Sequence, residues 1–90
     1  MNNQRRKTIS SLLAKVDEIK TTLELIREDL DNVWDEEQEA LDCIPENLQG
    51  SERHEKTEEA VGNLEDAVYG LDDIIGNLED IIDSLDAARE

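Results

Sequence analysis

The chain has 90 residues, of which 38% are charged, 37% hydrophobic and 2% aromatic, enough for one small domain and too little to enclose a sizeable catalytic cavity. Nine Lys and Arg stand against 25 Asp and Glu for a net charge of −16, and the excess falls on residues 31–90, since residues 1–30 are nearly balanced. Phosphate repulsion therefore excludes direct DNA or RNA binding by the acidic two-thirds and disfavours an anionic membrane surface.

Leu, Ile and Val number 23 of the 90 residues with no Phe, a fraction that still supports an ordered core. No apolar run of about 7 to 15 residues follows Arg5, Arg6 and Lys7, and no stretch approaches about 18 consecutive apolar residues; the expectation is a cytoplasmic protein with no membrane partner. Cys43 is the single cysteine, so no intrachain disulfide forms. With Asp42 beside it rather than a base, it has no expected reactive role.

The first helix is predicted over about residues 4–43. Its apolar residues fall at Ile9, Leu12, Val16, Ile19, Leu23, Ile26, Leu30 and Val33, alternating three- and four-residue steps that define a heptad seam with Ile9 at position a. Glu37 interrupts the seam, Ala40 and Ile44 resume it, and Leu13, Trp34 and Leu41 widen it at position e. Proline at 45 pushes Ile44 out of helical geometry, and residues 44–50 read as the turn. Ser51 is placed to cap the second helix, predicted over about residues 51–88.

That second helix carries a seven-residue repeat starting at Val61, Val68, Ile75 and Ile82. Positions a and d are Val61, Leu64, Val68, Leu71, Ile75, Leu78, Ile82 and Leu85, and a third apolar column at g holds Ala60, Ala67, Ile74, Ile81 and Ala88. Three columns exceed what one partner helix covers. The expected architecture is an all-α single domain, an antiparallel coiled-coil-like hairpin that self-associates as a dimeric four-helix bundle. Leu13, Trp34 and Leu41 of helix 1 with Ile74 and Ile81 of helix 2 are the self-association residues.

Two polar features invite a functional reading. Columns e and f of the repeat read Glu65, Asp66, Asp72, Asp73, Glu79 and Asp80, and no Lys or Arg occurs from Thr57 to Ala88, so the usual offsetting i, i+4 pairs are missing. Carboxylates one heptad apart rise about 10.5 Å along the axis, a spacing fit for a ribbon that imitates nucleic-acid phosphates before a basic groove. At the turn, Asn47, Gln49, Ser51, Arg53 and His54 gather donors near the positive end of helix 2, an alternative site for a phosphorylated ligand with Trp34 or Tyr69 to stack on it. The basic cluster Arg5, Arg6 and Lys7 is expected to face Asp80, Asp83 and Asp86 and offset them.

Catalysis finds no support. No pocket is foreseen to raise a carboxyl pKa, His54 is the only histidine and has Glu58 four residues on but no second His, Glu-x-x-His or ligating Cys, and no calcium loop or phosphate-binding glycine motif occurs. The expectation is a protein that is not an enzyme, with no metal and no cofactor.

The segment Asp35-Glu-Glu-Gln-Glu-Ala-Leu-Asp-Cys-Ile-Pro-Glu-Asn-Leu-Gln-Gly-Ser-Glu-Arg-His-Glu-Lys56, within a match over about residues 35–60, resembles the EEQEA…IPENLQ.SER pattern of small acidic helical proteins from phages and prophages of Gram-positive bacteria, with His54 where that pattern more often has Tyr. The resemblance implies a bacterial host cytoplasm and a role against host machinery or immunity. It leads to the expectation of an inhibitor of a host defence protein, such as a CRISPR effector, that acts as a nucleic-acid mimic through the acidic face. The alternatives are an oligomeric sponge for an immune signalling nucleotide at the turn and a structural coiled-coil phage component.

Overall fold

The computed structural model describes residues 1–90 as two helices, α1 (Asn3–Asp42) and α2 (Glu52–Ala88), joined by a turn containing a short 3-10 segment, Glu46–Leu48. They lie antiparallel as an elongated hairpin whose Cα trace spans 70 × 15 × 14 Å. No helix is long and apolar enough to cross a membrane.

Both helix starts are capped as their sequences dictate. Asn2 accepts a hydrogen bond from the Arg5 backbone N–H at 2.8 Å, and the Ser51 hydroxyl accepts from His54 N–H at 3.2 Å, each satisfying a donor that the first turn leaves free. Gly50 turns the chain with φ of 85°, a conformation that disfavours any side chain with a Cβ. Ile44, released from α1 before Pro45, folds inward and is 6% exposed.

The seam of α2 is the expected one: Val61, Leu64, Val68, Leu71, Ile75, Leu78, Ile82 and Leu85 are all buried or half-buried, and Val68 is 1% exposed. The seam of α1 differs from the expected one. Its half-buried ladder runs Ile9, Leu13, Val16, Lys20, Leu23, Arg27, Leu30, Trp34, Glu37 and Leu41, which is columns a and e. Leu12, Ile19, Ile26 and Val33, the d column, are exposed. With 100° between successive residues, the helix is turned about 50° from an a/d setting.

The reason lies in the e column itself. Lys20 and Arg27 lay their stems along α2 and extend their charges to its carboxylates: Lys20 Nζ is 3.5 Å from Glu79 and 3.4 Å from Glu24, and Arg27 engages Asp72 through both Nε and Nη2. Trp34 meets Tyr69 edge to face at 6.3 Å between ring centroids. Leu13, Trp34 and Leu41 thus sit inside the hairpin, which corrects the expectation that they form a surface for a second copy. The residue numbers of paired positions sum to 99 at Lys20–Glu79, Arg27–Asp72 and Ser10–Arg89, so the register is constant along the rod.

Hydrogen bonding to Arg27, reinforced by its charge, holds the Asp72 carboxyl below the usual carboxylate range. Glu24 and then Glu79 hold the Lys20 ammonium above its ordinary value.

Replacing Val68 by Ala is expected to destabilise the fold by about 2 kcal/mol, whereas Leu25→Ala on the outer surface changes it by under about 0.5 kcal/mol; urea denaturation followed by circular dichroism checks both. Because the Asp72 pKa is depressed in the folded state, the ion pair stabilises at neutral pH and is lost only as pH falls through that depressed value. The difference in thermal midpoint between the wild type and Asp72→Asn should therefore persist at neutral pH and close only in acid below the ordinary carboxylate range.

Candidate functional site: an acidic flank opposite an apolar one

The rotation of α1 gives the hairpin two unlike flanks. Lys20 and Arg27, at e of α1, meet Glu79 and Asp72, at e of α2, so the two e columns share one side. Going round each helix in the other direction from the seam, d of α1 and g of α2 must share the opposite side.

The charged flank holds Glu65, Asp72, Glu79 and Asp86 from α2, with Asp66, Asp73 and Asp80 standing further round on the face turned away from α1. From the repeat alone these six e and f residues are expected to form one ribbon. The structure separates them: Asp72 and Glu79 are engaged by Arg27 and Lys20 and Glu65 is half-buried, while Asp66, Asp73 and Asp80 are exposed and make no ion pair. On the same flank α1 adds Asp17, Glu24 and Asp31 at b, which sequence reasoning missed. Their heptad spacing was present, but it becomes visible only once the side of α1 facing α2 is known.

Of the 25 acidic side chains, five have a Lys or Arg ion-pair partner: Glu24, Glu52, Asp72, Glu79 and Asp86. The rest present a largely uncompensated negative field, strongest where it is least interrupted by cations. The basic cluster does little to offset it. Arg6 reaches the Glu90 carbonyl at 3.4 Å, Asp86 is taken by Arg89 at 2.7 Å, and Arg5 and Lys7 form no ion pair with Asp80 or Asp83.

The turn residues are brought together at one end of the rod, where two of them accept hydrogen bonds from the backbone. Ser51 Oγ caps α2, and His54 Nδ1 lies 3.4 Å from Gly50 N and 3.7 Å from Glu58. Asn47, Gln49 and Arg53 are exposed. The nearest depression, lined by Glu52, Arg53, Lys56 and Thr57, contains no hydrophobic residue, and Lys56 is paired with Glu52 at 3.0 Å. Trp34 and Tyr69 are remote from this end, Trp34 lying ten residues before Ile44, about 15 Å along the helix. They pack on each other and offer no stacking platform at the turn, which corrects that part of the alternative reading.

Cys43 is exposed, and no group of three or more His, Cys, Asp or Glu side chains is placed to hold a metal ion. No protein-family model matches the chain, and neither a curated protein nor a solved structure matches it.

Proposed function

We propose that this chain is a non-enzymatic, self-associating hairpin that occupies the basic nucleic-acid-binding surface of another protein, acting as a nucleic-acid mimic. The observation that carries this reading is the row of exposed, unpaired carboxylates Asp66, Asp73 and Asp80 at heptad spacing, continued round the helix by the e column. Free in solution these groups repel one another; a cationic groove relieves that repulsion and gains fast, salt-sensitive association.

The dimensions support the same reading. A B-form duplex carries about 40 phosphate charges over 70 Å, the length of this rod. Two copies lying side by side carry twice −16, about three quarters of that charge. The resemblance to phage proteins makes the proposed target a bacterial host protein, with a defence nuclease such as a CRISPR effector as the first class to test. Against the turn as a nucleotide site stand the carboxylates of Glu52 and Glu58 beside it.

The experiment is competition. Tag-free protein titrated into a complex of a basic nuclease with labelled duplex should displace the duplex, with an inhibition constant that weakens steeply with added salt. The triple variant Asp66→Lys, Asp73→Lys, Asp80→Lys leaves the Arg27 and Lys20 pairs intact, so it should keep its helical signal and lose at least about tenfold in inhibition, or about 1.4 kcal/mol. Full inhibition by that variant refutes the proposal.

A further inference from the structure

We infer that the flank formed by column d of α1 and column g of α2 is the interface with a second copy of this chain, and that the two copies lie antiparallel about a two-fold axis at the level of Thr22 and Asn77. The inference specifies the self-association assumed above and rests on four observations.

The first is a continuous apolar row. Leu12, Ile19, Ile26, Val33, Ile74 and Ile81 are each 43–53% exposed, and the constant register sets Ile19 level with Ile81 and Ile26 level with Ile74. Together they offer about 500 Å² per copy, and two copies reach the roughly 1,000 Å² expected of a specific interface.

The second is the absence of charge beside that row on α2. The next column outward, c, reads Asn63, Gly70, Asn77 and Ser84. Every carboxylate of the four repeats lies in other columns. A chain at −16 approaches its own copy with least repulsion along a surface poor in carboxylates, and beside this row they come only from α1, as Glu18, Asp29 and Glu36, whereas a basic partner would need none cleared.

The third is a shallow depression on this flank, lined by Glu18, Ile19, Thr22 and Leu23. It is the groove between the ridges 18–22 and 19–23, a receiver for the ridge of another helix.

The fourth decides the direction. Residues 1–22 and 78–90, the open half of the rod, hold six basic and seven acidic side chains, whereas residues 23–77, the turn half, hold three and eighteen. Parallel copies would set the two acidic halves against each other; antiparallel copies place them at opposite ends. A two-fold axis at Thr22 and Asn77 puts Ile19 over Ile26 and Leu12 over Val33 of the other copy, and Ile74 over Ile81. It also brings Lys15 opposite Asp29 on the rim, an attractive pair where the parallel arrangement offers none. Both helices satisfy the same axis, as an isologous interface requires.

Sedimentation equilibrium and spin labelling of the native Cys43 test this. The wild type should sediment as a dimer. Ile19→Lys and Ile26→Lys should each weaken dimerisation at least about tenfold with an unchanged far-UV spectrum, and Leu25→Lys, at a residue 60% exposed on another column, should not. Labels on Cys43 should lie about 60 Å apart, twice the axial distance from Thr22 at 1.5 Å per residue. A label distance under about 30 Å, or a dimer indifferent to both isoleucine variants, overturns the arrangement while leaving the acidic-face reading standing. A monomer at all concentrations overturns the interface altogether. The Asp66, Asp73 and Asp80 variant, by contrast, should dimerise normally, so the two proposals fail separately.

Discussion

The rotation of α1 about its own axis governs the rest of the structure, because one angular setting decides three things together. It determines which side chains fill the seam, which charges meet across it, and which apolar row is left facing solvent. Turning the a and e columns toward α2 brings Lys20 and Arg27 within reach of Glu79 and Asp72 and places Trp34 against Tyr69. The same turn leaves Ile19 and Ile26 outside. For an isolated pair of helices this exchanges aliphatic burial for the stems of two cations, a poor trade on transfer energies alone. It becomes favourable when the excluded isoleucines find a second surface.

The thinness of the core sharpens the point. Only Ile44, Val61 and Val68 are buried, three of 90 residues, and two of the interhelix ties are ion pairs between groups largely in water, each worth little by itself. Against this stands the mutual repulsion of a chain carrying −16. A single hairpin so built is close to the margin, and the d and g columns hold six of its ten exposed large hydrophobic residues.

Much of this was legible in the residues, and the illegible part has a definite cause. The Val61 to Ile82 repeat specifies the face of α2 because its a and d positions are aliphatic without exception, and Ile44-Pro45 with Ser51 specifies the turn. In α1 two ladders coexist: columns a and d are aliphatic, while columns a and e include Lys20, Arg27 and Glu37. A reading by hydrophobicity selects the first. The structure selects the second, because long cationic side chains serve as both filler and charge. The acidic site was half legible for the same reason. Asp66, Asp73 and Asp80 follow from the α2 repeat alone, whereas the contribution of Asp17, Glu24 and Asp31 depends on the rotation of α1.

The three buried residues also have a position in common, since Ile44, Val61 and Val68 all lie in the half of the rod nearest the turn. Contacts there join residues close in sequence, so closing the turn requires little loop entropy and each further heptad adds its pairs to those already formed. Such a molecule closes like a zipper, from Gly50 toward the termini. Its amide protons should exchange in the reverse order of that closure, fastest where Arg89 meets Ser10 and slowest beside Val68. The rod is therefore graded, with a firm end that defines the register and a loose end free to adjust to whatever lies against it.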